Sequence, residues 1–239
     1  MSGIPLLWRE AGLVAVNKLP GTLVVPGRRP DGQPTLREQL EATLGQPVWV
    51  VHRLDRDTSG VVLFALDAAS HRAASLAFQR SHARKTYLAL VFPALDAPRI
   101  VDVALLPARR GRMRFVRSGE TGKFARTRLR PVERYPLGGL VEAEPLTGRT
   151  HQIRLHLQFA GSPLLVDAQY GREAAVTRAS LGGLGEGVVL ARTPLHAAHL
   201  ALEGGDGIPP VDVRAPLADD MQEALALLRA QGATVKGAD

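Results

Sequence analysis

Nine consecutive residues, His52-Arg53-Leu54-Asp55-Arg56-Asp57-Thr58-Ser59-Gly60, concentrate charge and hydroxyl groups between two apolar runs, Pro47–Val51 and Val61–Leu66. A polar loop joining two buried strands is where a rigid scaffold presents reactive groups. Asp55 has Arg53 two residues before it and Arg56 one after. Cations within ~4–6 Å lower a carboxylate pKa by roughly 1–3 units. Asp55 is therefore expected to stay ionised at neutral pH, suited to be a nucleophile and unsuited to be an acid. On the residues alone a second reading is the stronger: a salt-bridged turn, with Asp57-Thr58-Ser59-Gly60 as ordinary turn chemistry.

A second polar stretch runs from Thr147 to His156. Arg149, His151 and Arg154 crowd the start of a helix, an end that is already positive, so a carboxylate or phosphate is expected to face them. His151 and His156 are five apart and lack the Glu of a zinc-protease helix, which makes a poor metal site. Each reads better as a packed or backbone-bonded histidine.

The elements that position these groups read as follows. Leu13–Val16 is a short buried strand, and the turn-rich Asn17-Lys18-Leu19-Pro20-Gly21 follows it. Thr35 and Glu38 form a capping box for a helix running to Leu44 and stopping at Gly45. Val48–Val51, Val61–Leu66, Tyr87–Phe92, Leu140–Pro145 and Leu195–Leu202 are apolar and β-branched enough to be strands. Ala68–Phe78 suits a helix, and Leu217–Ala230 an amphipathic one. Thr150 is expected to cap a helix that ends near Ala160, with Gly161 just beyond. Strands outnumber helices and short turns link them, which predicts an α+β fold around a mixed, largely antiparallel β-sheet flanked by helices. No Pro/Gly/Ser-rich linker divides the chain, so one catalytic-size domain over residues 1–239 is expected.

The 239 residues are 45% hydrophobic and 22% charged, ordinary globular values. There is no cysteine, which excludes disulfides, thiolate nucleophiles and Cys-ligated zinc. No signal-peptide pattern opens the chain and no apolar run approaches the ~20 residues of a membrane span, so a cytoplasmic location is expected. The net charge is +7. Arg109 to Arg134 holds ten basic residues against two acidic ones, a net +8, and the remainder nets −1. Arg110, Arg112 and Arg114 alternate with Gly111, Met113 and Phe115, and Arg126, Arg128 and Arg130 with Thr127 and Leu129. Period two puts each set on one strand face. The segment at about 109–134 therefore reads as a basic β-hairpin turning at Ser118–Gly122, and as a footprint for a polyanion. A solvated sheet face is the alternative, but such a face mixes both signs of charge and this window hardly does.

The HRLD…TSG pattern of His52–Gly60 resembles the signature of the RluA-type pseudouridine synthases. Other segments agree in order: Asn17–Pro26 resembles that family's first loop, Arg84-Lys85-Thr86-Tyr87-Leu88-Ala89-Leu90 its RKxYxAL strand, Gly148–His156 with Gly161–Gly171 its GRTHQIR…G…D..YG block, and Leu195-His196-Ala197 its LHA strand. The pattern departs in the first loop, where Leu19 separates Lys18 from Pro20 and Val25 stands where histidine is frequent. Many relatives carry an S4-like domain first; this chain has about a dozen residues there and resembles the short branch, which acts on ribosomal or transfer RNA.

The resemblance implies a cofactor-free, metal-free isomerisation of uridine to pseudouridine by a monomer. It makes Asp55 the essential aspartate, Arg154 its basic partner and Tyr87 the tyrosine that stacks on the uracil. Arg53 resembles the residue that fills the space of a flipped base, and Leu195 one that packs beside the uracil. With Arg56, Arg112, Arg114, Lys123, Arg126, Arg128 and Arg149 these are the expected RNA contacts. A non-catalytic RNA-binding module is the rival reading, and the Asp55, Tyr87 and Arg154 set counts against it. A nucleoside hydrolase would need a second carboxylate beside the scissile bond, and no second motif supplies one.

Overall fold

Apolar runs of three to ten residues, broken by glycine-bearing turns, dictate a strand-rich fold. The structure, a computed structural model, describes residues 4–27, 32–80, 82–171, 173–205 and 207–232, with Arg110 described by its backbone alone. Along the chain run β1 (Leu6–Glu10), β2 (Leu13–Lys18), α1 (Leu36–Leu44), β3 (Trp49–Val50), β4 (Ser59–Ala65), α2 (Ala68–Gln79), β5 (Ala83–Val91), β6 (Arg99–Asp102), β7 (Leu105–Pro107), β8 (Met113–Phe115), β9 (Arg126–Tyr135), β10 (Gly138–Pro145), α3 (Gln152–Phe159), β11 (Val176–Thr177), β12 (Val188–Leu190), β13 (Leu195–Leu202), β14 (Val211–Arg214) and α4 (Asp219–Ala230). The chain divides into two compact units, Met1–Lys85 with His196–Leu217, and Thr86–Leu195 with Ala218–Asp239. Two of the three crossings fall inside β5 and β13 and the third in the short connection between β14 and α4, so no linker composition marks them.

In the first unit β4 is central. β2 pairs antiparallel along its length, from Leu13↔Ala65 to Lys18↔Gly60. The other edge of β4 takes β13 in parallel at Ser59 and Gly60, then β3 antiparallel at Phe64 and Ala65. β1 extends the sheet beyond β2, and β14 pairs with β13. All seven β4 residues are buried, which explains an apolar run without alternation. Leu13, Val61, Leu63, Leu200 and Val213 pack with Ala73 and Ala74 of α2 into one core. Each fully buried Val or Leu contributes about 1.5–3 kcal/mol relative to exposure. The expected capping box is present: the Glu38 amide donates to Thr35 Oγ1 and the Thr35 amide to Glu38 Oε2. Gly45 closes α1 at φ +67°.

In the second unit β5, β10, β9 and β6 form an antiparallel run in that order. α3 lies on β9 and β10, and Ile153, Leu157 and Ala160 join Ala89, Val141 and Leu129 in the core. The expected mixed, largely antiparallel α+β architecture holds.

The basic hairpin needs correction. β8 pairs with β7, Leu105 opposite Phe115, and not with β9. β10 runs along one edge of β9 and β6 takes the other at Arg126–Leu129, the stretch a 109–134 hairpin would have paired. Lys123 then bridges back to Leu105, and Leu105, Ala125 and Leu155 bury the junction with Met113, Phe115 and Tyr170 against them. Arg126, Arg128 and Arg130 of β9 do lie on one exposed face, but each meets a carboxylate on the strand beside it. Arg126 pairs with Asp102 of β6, Arg128 with Glu144 of β10 at 3.2 Å and Arg130 with Glu142 of β10 at 3.1 Å. The missing negative charge comes from neighbouring strands outside the 109–134 window.

Candidate active site

The loop between β3 and β4 presents Asp55, partly buried, between buried Leu54 and exposed Arg56. Side-chain and backbone bonds fix it at several points. At its start, His52 Nε2 accepts the Leu63 amide of β4 at 3.0 Å, which leaves the ring proton on Nδ1. The His52 ring stacks on Phe78, centroids 4.7 Å apart. Burial, with help from the nearby Lys85 charge, lowers the His52 pKa to about 3, so the ring is neutral. His52 is therefore a structural anchor of the signature.

Lys18 ends β2 and is fully buried. Its Nζ donates to the carbonyls of Arg56 (2.7 Å) and Leu19 (3.0 Å). The Gly21 amide reaches the same Arg56 carbonyl at 3.0 Å, and Arg56 Nε returns a bond to Gly21 O at 3.0 Å. The first loop and the Asp55 loop are thus laced together. The Leu19 insertion leaves this lacing intact. On the far side, Ser59 Oγ bonds His196 Nδ1 at 2.9 Å inside the sheet. Gly60, at φ +108°, lies between Lys18 and Ala197; a Cβ there would come within 2.2 Å of Ala197 O. Only glycine fits.

In the second unit α3 begins at Gln152, with His151 as N-cap at φ +55°, not Thr150. A left-handed residue redirects the chain where a serine-type cap was expected. No side chain caps the helix, and Gln152 instead ties down the turn before it: its Oε1 accepts the Arg149 amide at 2.9 Å and the Thr147 hydroxyl at 2.7 Å. Its Nε2 donates to Arg126 O and Thr127 Oγ1, both at 3.0 Å. His156 Nε2 donates to Val103 O at 3.1 Å, and Nδ1 accepts from Thr127 at 2.8 Å. Burial lowers the His156 pKa and keeps it neutral. It is the backbone-bonded histidine that the spacing suggested.

The anion expected at this helix start is Asp167. Arg154 Nε and Nη2 meet its two oxygens at 2.8 and 2.6 Å. The amides of Gln169 and Tyr170 add bonds of 3.0 Å to Asp167 Oδ1. Burial pushes the Asp167 carboxyl up; the guanidinium and the two amides outweigh it and hold the pKa below its ordinary value. Arg154 also lies over the Tyr170 ring at 4.9 Å. The Tyr170 hydroxyl accepts the Met113 amide at 2.8 Å and bonds His151 Nδ1 at 2.6 Å. Asp167 and Tyr170 were legible only as motif letters of the D..YG block; their grip on Arg154 was not.

The remaining expected residues fall out as follows. Tyr87 is partly buried beside the second core, which contains buried Leu195. Arg53 is exposed. Arg114 pairs with Glu120 at 2.5 Å, and that hydrogen bond lowers the Glu120 pKa to about 2. Arg149 Nε donates to Phe124 O at 2.8 Å. Arg112 and Lys123 are exposed and form no ion pair among the described residues. The side chain of Arg110 lies outside the described residues. Among the described residues no three His, Asp or Glu side chains are placed to hold a metal ion.

A family model for RNA pseudouridylate synthase matches residues 12–159, a span that holds Asp55, Tyr87 and Arg154. The chain belongs to this family. Ribosomal large subunit pseudouridine synthase C of Haemophilus ducreyi is 37% identical over 186 residues, 76% of this chain and 56% of that protein. The protein of the same name in Escherichia coli O157:H7 is 32% identical over 236 residues, 94% of this chain and 70% of its own. The chain thus spans little more than half the length of the first of these curated relatives. Human RNA Pseudouridylate Synthase Domain Containing 4 superposes with a TM-score of 0.73 at 25% identity, covering 94% of this chain and 93% of its own.

Proposed function

We propose that this protein isomerises uridine to pseudouridine in ribosomal or transfer RNA, with Asp55 as the essential carboxylate. The observation that carries the reading is the family match across the Asp55 loop, whose signature residues His52, Ser59 and Gly60 all act to fix that loop in place. The relatives' names make large-subunit ribosomal RNA the first substrate to test.

The reaction breaks N1–C1′, turns the uracil and joins C5 to C1′. A proton leaves C5 and one is returned to N1, so atoms and electrons balance without oxidant, water or metal. Asp55 either attacks C1′ or starts a route through a glycal. The family resemblance gives Tyr87 the role of stacking on the uracil and moving the C5 proton, and Arg154 that of the basic partner of the carboxylate. The target must leave its stack, which costs a few kcal/mol, least in a loop. Arg53 has the planar group to occupy the vacated space. Arg112, Lys123 and Arg149 supply phosphate contacts, and Arg56 contacts the RNA beside Asp55; Arg114, Arg126 and Arg128 contribute less because carboxylates already face them. No helix of the described residues is long and apolar enough to cross a membrane. A cytoplasmic monomer is the working expectation.

Asp55→Asn tests the assignment, since it keeps size and removes charge. RNA binding should stay within a few fold of wild type, with no pseudouridine in a tritium-release assay on RNA from a strain lacking the protein. Mapping pseudouridines in that strain identifies the target. Substantial activity in the variant would sink the role of Asp55.

A further inference from the structure

Beside the laced loops, Thr22, Leu23, Gln33, Pro34, Gln39 and Arg56 line a pocket of about 160 Å³ within the first unit. Thr22, Gln33, Gln39 and Arg56 bring polar groups to it, and Leu23 and Pro34 apolar ones. None of Thr22, Leu23, Gln33, Pro34 or Gln39 has a part in the reaction described above. Arg56 links the pocket to the chemistry: it follows Asp55 directly, with Cα atoms ~3.8 Å apart.

We propose that this pocket binds the unstacked base of a nucleotide immediately beside the target uridine and so helps to choose the substrate. The inference rests on the proposed function and names a determinant of its specificity. A volume of about 150 Å³ holds a benzene ring, so a pocket of this size, open on one side, has room for a pyrimidine-sized ring. Arg56 is pinned through Nε to Gly21 O, which orients its guanidinium plane before RNA arrives. Bases splayed out of single-stranded RNA stack on such planes and are read by hydrogen bonds to their edges. Gln39 is held too: its Nε2 donates to Pro34 O at 2.7 Å. That leaves Oε1 and a second N–H as an edge reader in a fixed orientation. Leu23 and Pro34 supply the apolar wall. Enzymes that flip a base commonly take part of their selectivity from its −1 and +1 neighbours.

The test uses the stem-loop around the mapped target uridine, randomised at both neighbouring positions. Wild-type protein should form pseudouridine with a preference of ~fivefold or more at one neighbour, the size expected of one net hydrogen bond. Gln39→Ala should cut that preference to within about twofold of uniform. Alanine is a good helix former, and thermal unfolding checks that α1 survives. Arg56→Lys, which keeps charge and loses the plane, should weaken the same preference at the same neighbour. Two results overturn the inference: no neighbour preference in the wild type, or an unchanged preference in both folded variants. A wild-type protein that makes no pseudouridine at all instead removes the proposed function, and this inference with it.

Discussion

Arg154 and Asp167 meet in a two-pronged ion pair, with side chains 8% and 3% exposed. The pair fixes the start of α3 against the loop that follows it, and Tyr170 closes the arrangement from above the guanidinium. An arginine so held cannot swing, and its orientation is set before any substrate arrives.

Asp167→Asn should therefore be costly. Removing one partner of a buried pair typically costs 3–5 kcal/mol. Denaturant unfolding should show a loss of about that size, and pseudouridine formation should fall with it. The folded carboxyl is depressed below its ordinary 3.8. Its stabilisation is complete above that value and is lost as pH falls below about 4 through the folded pKa. The asparagine variant should lack this part of the acid limb. An equal acid limb in both proteins would refute the coupling.

His52 works in a different pH window. Its ordinary value is 6.5 and the folded value is about 3. The unfolded chain therefore takes up a proton that the folded one refuses. The contribution is fully present above pH 6.5 and is lost progressively between 6.5 and 3, at no more than about 1.4 kcal/mol per pH unit. His52→Gln should flatten the stability profile between pH 6 and 4. Unfolding midpoints at several pH values decide it.

The cations should divide by whether a carboxylate faces them. Each phosphate contact contributes roughly −0.7 to −0.9 to the slope of log affinity against log salt. Replacing Arg112 and Lys123 with glutamine should make the slope shallower by about one to two units. Replacing Arg128 and Arg130 should change it by less than half as much, because Glu144 and Glu142 already face them. Equal changes in the two double variants would show that the cross-strand pairs open for RNA. The stability cost of either pair should stay near 0–1 kcal/mol, as for exposed ion pairs.

Catalysis by this reading needs no metal. Activity should survive exhaustive dialysis and EDTA. Loss on chelation, restored by a divalent ion on RNA that is already folded, would overturn that expectation.

Much of the chain was legible because its signals are local. The Thr35–Glu38 capping box, the Gly45 stop and the Leu195–Leu202 strand came out as read. So did the need for an anion near Arg154, since a helix start repels cations whatever the rest of the fold does. The signature around Asp55 was legible as a motif, and the motif carried the family. Its physical content was not: nothing in local pattern says that Lys18 reaches Arg56 O, or that His52 accepts from Leu63.

The amino-acid sequence by itself determined most element types and the family, and named the residues proposed to carry the chemistry, because periodicity, capping and motif spacing act over a few residues. Tertiary structure alone decided strand partners and charge balance. Arg126, Arg128 and Arg130 looked like an unopposed cationic face because Asp102, Glu142 and Glu144 lie 12–24 residues away in the chain. Sheet pairing brings them opposite, and it also places β7, not β9, beside β8. A strand has two edges, and which neighbours fill them depends on burial throughout the unit, which no local window contains.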